Sequence, residues 1–130
     1  MTDSALSQLG LALRGNNLAV GEEPVAAACK SRRACLVVFA ADAAQNSVDR
    51  AGRAAEAGDA PWVRVPWDKE TLGTALGRKL CAVAALTDRG LAAALAEKLA
   101  ASDEGLRPAL KPLLIEKKPR AVKKPAVREI

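Results

Sequence analysis

The sequence predicts an α/β protein: a three-layer α/β/α sandwich around a mostly parallel four-stranded sheet, followed by a disordered basic tail. Three observations lead there. Helix-period and short strand-like segments alternate through the first hundred residues, five helices to four strands, an order that favours helices on both faces of a parallel sheet. Two of the strand-like runs, "ACLVVFAA" and "LCAVAAL", are apolar at every position, as strands covered on both sides are. From Leu106 onward the periodicity gives way to "LRPALKPLLIEKKPRAVKKPAVREI", which holds four prolines and eight basic residues. The expected division is therefore a folded body over 1–105 and a flexible tail over 106–130, in which only "LLI" at 113–115 has anything to dock.

Leu6, Leu9 and Leu13 lie at helical spacing in residues 4–14, and Gly15-Asn16-Asn17 supplies the stop. "LAV" at 18–20 reads as a short strand turning at Gly21. A second helix follows over 22–32, with Glu22, Glu23 and Pro24 in its first turn, where acids suit the dipole and proline loses only an orphaned N–H. The 34–41 strand leads to Asp42 and, three residues on, Gln45, a variant of the capping-box pattern opening a helix that ends at Gly58. "WVRV" at 62–65, bracketed by Pro61 and Pro66, reads as a strand near an edge. Asp68 caps a short helix stopped at Gly77, and "LCAVAAL" at 80–86 is the fourth strand. Asp88 opens the fifth helix, with Leu91, Leu95 and Leu99 on one stripe, ending near 102–105.

Composition removes several function classes. Phe39, Trp62 and Trp67 are the only aromatics, too few for the stacking platform of a single-strand binder. Cys29, Cys35 and Cys81 show no C-x-x-C spacing and sit among small apolar residues, so buried reduced thiols are expected. No histidine is present to serve a nucleophile or a metal, phosphate-loop signatures are absent, and neither cofactor nor metal is expected. The start "MTDSALSQ" lacks the features of a signal peptide, and the longest apolar run is far shorter than the ~20 residues of a membrane span, so a cytoplasmic protein with no membrane partner is expected. Charge is unevenly placed. Residues 107–130 hold eight Lys or Arg against two Glu, net +6, which leaves twelve basic and thirteen acidic residues, net −1, in the remainder.

Three places could carry chemistry. The turn at Gly21 feeds a helix N-terminus, where outward N–H groups hold phosphates, although Glu22 and Glu23 would repel them. Asp42 and Asp88 follow buried strands, where open α/β sheets bind ligands, but capping of the next helix is the plainer role for each. Lys30-Ser31-Arg32-Arg33 and Arg78-Lys79 are basic clusters, the first of which also suits a helix C-terminus.

The stretches "LGLALRGNNLAVGEE", "LVVFAADAAQNSVDR", "ETLGTALGRKL" and "AVAALTDRGLA" resemble, in order and spacing, the L-seven-Ae ribosomal-protein family and its L-thirty-e relatives, with the bacterial YlxQ-like proteins as the nearest branch. Leu72-Gly73, Gly77 and the Thr87-Asp88-Arg89-Gly90 turn are the most distinctive pieces, and the likeness spans residues 6–99. The resemblance implies a non-catalytic binder of structured RNA, often of kink-turns, with ribosomal RNA among the possible partners. It implies an RNA surface formed by the turn before the second helix and the loop before the last strand. On this chain those positions are Gly21, Glu22 and Glu23 with Arg78 and Lys79, and Lys30 and Arg33 are expected at the rim. The family's Gly-x-Asn-Glu-x-x-Lys signature is altered: Glu23 replaces Asn, Pro24 replaces Glu and Ala27 replaces Lys. Lys117, Lys118, Arg120, Lys123 and Lys124 of the tail would add sequence-independent affinity through counterion release. The alternative is a protein-interaction module that kept the fold and lost specific RNA recognition, with a protein as its partner.

Overall fold

In the computed structural model, the backbone of residues 2–122 and the side chains of residues 4–114 are described. The chain runs α1 (Thr2–Arg14), β1 (Leu18–Val20), α2 (Glu22–Lys30), β2 (Leu36–Phe39), α3 (Gln45–Ala57), β3 (Trp62–Arg64), α4 (Lys69–Ala75), β4 (Val83–Leu86) and α5 (Arg89–Ser102), then a single 3-10 turn (Glu104–Leu106) and α6 (Arg107–Val122). Helices α2 and α3 pack together on one face of the sheet, and α1, α5 and α6 cover the other, so the three-layer expectation holds.

The sheet order is β1-β4-β2-β3. Every residue of β2 and β4 is buried, as their unbroken apolar runs require, whereas β1 and β3 alternate as edge strands do. Leu36, Val37, Val38 and Phe39 are fully buried, and Phe39 meets Trp62 edge to face with ring centroids 5.6 Å apart.

The sheet is mixed rather than mostly parallel. β4 lies between β1 and β2 and runs antiparallel to both; only β2 and β3 pair in parallel. The reason lies in the connection. α4 has seven residues, about 10 Å of rise, and stays at the end of the sheet where β3 stops, so β4 starts there and runs back. Alternation of helix and strand carries no information about that reversal.

The tail expectation also needs correction over Arg107–Val122, which is helical. Leu110 and Leu113 are buried in the common core, with Leu106 and Leu114 packed against it. These positions repeat at helical spacing, and Pro108 falls in the first turn, where its missing N–H costs no helix bond. The packed body thus extends past residue 105.

Two of the three expected caps form. The carboxylates of Asp68 and Asp88 accept from the N–H groups of Thr71 at 2.8 Å and Leu91 at 2.9 Å. Asp42 does not cap α3, whose N-cap is Ala44; its carboxylate accepts from the Lys69 N–H at 2.8 Å and ties the loop after β2 to the start of α4.

Candidate nucleic-acid interface

β1 ends where β4 begins, so the antiparallel register places the turn after β1 beside the loop that precedes β4. One hydrogen bond fixes the junction: the Gly21 N–H donates to the Val83 carbonyl at 3.0 Å. Gly21 then turns the chain at φ +101°, ψ 163°, a conformation open essentially to glycine alone. A β-carbon there would meet only Pro24 Cδ, at 3.7 Å, so the residue is demanded by its backbone and not by crowding.

Gly21 carries no side chain to cap α2, and Pro24, third in the helix, has no N–H. The N–H groups of Glu22 and Glu23 are the ones left facing outward. The carboxylate of Glu22 is engaged across the helix pair. It accepts from the Ser47 hydroxyl and, at 2.7 Å, from the Arg50 guanidinium. Those two bonds, Ser47 first, hold its pKa below the ordinary carboxylate value. Half of the acidic repulsion foreseen at this turn is therefore answered by α3.

The loop carrying Arg78 and Lys79 is equally constrained. Gly77 has φ +73°, the Arg78 N–H donates to the Gly73 carbonyl at 2.7 Å, and the Cys81 N–H donates to the Lys69 carbonyl at 3.0 Å. A β-carbon on Gly73 would stand 2.9 Å from the Arg78 carbonyl oxygen and from the Leu80 backbone, so the loop lies directly on α4. Arg78, Lys79 and Leu80 face outward from it, and Leu80 is 60% exposed.

Sequence reasoning missed Arg64 at this end of the molecule. Its Nη1 donates to the carbonyls of Ala40, Ala41 and Ala43 at 3.4, 3.0 and 3.1 Å, gathering the loop between β2 and α3. Nothing in the strand "WVR" announces that role, because the accepting carbonyls are 21 to 24 residues upstream.

The structure places Gly21, Glu22 and Glu23 at the end of the sheet from which the Arg78–Lys79 loop leads into β4. It does not bring Lys30 and Arg33 to them. Lys30 lies at the far end of α2, roughly 12 Å along its axis from Glu22, and Arg33 lies just beyond that end. The rim expected from them is replaced by a separate surface at the opposite end. Lys117, Lys118, Arg120, Lys123 and Lys124 lie outside the residues whose side chains are described. Among the described residues no cluster could hold a metal ion, and no helix is long and apolar enough to cross a membrane. Cys29 and Cys81 are buried, which raises both thiol pKa values, while Cys35 is half-buried.

Residues 3–96 match the ribosomal protein L7Ae/L30e/S12e/Gadd45 family. The chain belongs to that family. A solved Bacillus halodurans protein of unknown function is 29% identical, with a TM-score of 0.68 over 73% of this chain and 95% of its own. The Giardia lamblia 15.5kD RNA binding protein shares the fold at 22% identity, with a TM-score of 0.63 over 74% of this chain and 84% of its own. No curated protein matches the chain. Membership of this ribosomal-protein family supports the non-catalytic reading. The family match stops at residue 96, so α6 is an addition beyond the matched region.

Proposed function

We propose that this L7Ae-family protein binds structured RNA, of the kink-turn type or within the ribosome, through the end of the molecule built around Gly21. The observation that carries the reading is the Gly21–Val83 hydrogen bond, which sets an uncapped helix N-terminus at the end of the sheet where the Arg78–Lys79 loop leads into β4. Backbone N–H groups of α2 take a phosphate, the two cations take the neighbouring backbone, and Leu80 offers an apolar contact to a base. The basic residues Lys117, Lys118, Arg120, Lys123 and Lys124 add salt-sensitive, sequence-independent grip.

The test is titration of the full chain and of an Arg78→Gln/Lys79→Gln variant against a kink-turn RNA and a plain duplex over a range of salt. Wild-type preference for the kink-turn, weakened in the variant, is the expected result. Absence of RNA binding by the wild type at low salt sinks the proposal. The exposed Leu80 favours a second reading, a protein-interaction module. A defined protein partner that survives nuclease treatment and is lost in Leu80→Ser would transfer the site to that reading.

A further inference from the structure

The end of the sheet opposite Gly21 gathers what the family turn lacks. Here Leu18, Leu86 and Leu36 lie in one row, and the chain leaves them through Asn17, Thr87 and Cys35. The Thr87 N–H donates to the Asn17 carbonyl at 2.9 Å, and the Cys35 N–H to the Leu86 carbonyl at 2.7 Å, which draws the C-terminal ends of α1 and α2 and the start of α5 to one pole. Arg14, Lys30, Arg32, Arg33 and Arg89 are exposed on it.

Three of these cations are held by a helix-ending motif. The Arg33 N–H donates to the Ala28 carbonyl at 2.8 Å and the Arg32 N–H to the Cys29 carbonyl at 3.1 Å, the double bond pattern that closes a helix on a left-handed residue. That residue is Arg32, at φ +62°, where glycine is the usual occupant. Helix-dipole compensation accounts for Lys30 in the last turn of α2. It does not account for an arginine kept in a glycine conformation, nor for Arg33 beyond the helix end. Arg32 meets Asp59, but both side chains are largely exposed, so that pair leaves the guanidinium open to a ligand. Lys30, Arg33 and Arg14 contact no acidic side chain among the described residues.

We propose that this pole is a second phosphate-binding surface, with Lys30, Arg32 and Arg33 at its centre and Arg14 and Arg89 across the sheet. It takes the backbone of an RNA helix flanking the segment held at Gly21. The inference rests on the reading of the protein as an RNA binder, but not on the Gly21 end being the contact. Cations at one end and a shaped turn at the other divide the work: charge supplies sequence-independent affinity, and the turn supplies discrimination.

The experiment compares the full-length wild type, Lys30→Gln/Arg32→Gln/Arg33→Gln and Arg78→Gln/Lys79→Gln on a kink-turn RNA with a long flanking helix and on a truncated version of it. A Lys30→Gln/Arg33→Gln variant keeps the Arg32–Asp59 pair and guards against a folding defect, which thermal unfolding would register. The triple variant should bind the long RNA roughly tenfold more weakly and flatten the plot of log affinity against log salt by about two to three, since each lost phosphate contact contributes about 0.9. It should bind the truncated RNA as the wild type does. Unchanged affinity and slope for the long RNA overturn this inference while leaving the Gly21 reading standing. A defect confined to the triple variant, with Arg78→Gln/Lys79→Gln unaffected, overturns the Gly21 reading instead. No wild-type binding to either RNA overturns both.

Discussion

At the Gly21 end of the molecule Arg78 and Lys79 face outward, but two other cations are committed to contacts within the protein. Arg64 holds three loop carbonyls and Arg50 holds Glu22, so their charge is spent on fixing backbone and bracing α2 against α3. At the opposite end Lys30 and Arg33 point outward, and Arg32 meets only an exposed partner. The body carries a net charge near zero, yet its two poles present different surfaces. A guanidinium contributes to binding according to what already occupies it, and a charge total says nothing of that. In the proposed division the Gly21 end contributes shape together with the Arg78–Lys79 pair, and the distal end contributes charge alone.

If shape is what the Gly21 end supplies, its glycines should be the costliest places to change. Gly73→Ala should cost about 3 kcal/mol, because the new methyl would meet backbone that has nowhere to move. Thermal unfolding measures the loss. The same variant should weaken kink-turn binding through the displaced Arg78–Lys79 loop while leaving the salt slope of long-duplex binding intact. A fully stable Gly73→Ala protein would show that the loop does not rest on α4.

Gly21→Ala is expected to cost about 2 kcal/mol, from backbone strain alone, since space beside the glycine is open. Gly21→Leu, larger but not β-branched, should then cost little more than alanine. A large gap between the two variants would mean that crowding, and not the positive φ, sets the requirement.

How much of this was legible in the sequence divides along the same lines. Signals that act within a few residues were readable: Asp68 and Asp88 as caps, Gly21 as a turn, the doubly buried runs as central strands. The direction of β4 was not, because it depends on a short α4 staying at one end of the sheet, a fact of three dimensions. The helix at Arg107–Val122 was hidden by its prolines and lysines, although Leu106, Leu110, Leu113 and Leu114 already carried the period. The separation of Lys30 and Arg33 from Gly21 was available too. A helix of nine residues places its first and last side chains at opposite ends.

At the distal pole Asp88 allows charge to be separated from capping. Asp88→Ala should cost about 1 kcal/mol by removing the acceptor for the Leu91 N–H. Asp88→Asn should cost only a few tenths, because an amide oxygen still caps. Both variants remove a negative charge beside Arg89 and should raise affinity for a long RNA duplex by similar amounts. Equal affinities for wild type and Asp88→Asn would argue that phosphates do not approach this end.

The smallest effect is at Glu22, where stability and binding should move in opposite directions. Its carboxylate is held below the usual value of 4.5 by Ser47 and Arg50, so the folded state gains stability above that pH. The gain is lost as pH falls through the lowered folded value. The side chain is 41% exposed, so the pair is worth only a few tenths of a kcal/mol. Glu22→Gln should therefore be slightly less stable than wild type at pH 7, and the difference should vanish once acid protonates the folded carboxylate, which unfolding curves stepped downward from pH 7 would resolve. Binding should respond the other way at pH 7, because the substitution removes a negative charge from the turn and releases Arg50 toward an incoming phosphate. A loss of RNA affinity in Glu22→Gln would mean that this carboxylate contacts the RNA itself, as a hydrogen-bond acceptor at a base edge, and that the Gly21 end discriminates by chemistry as well as by shape.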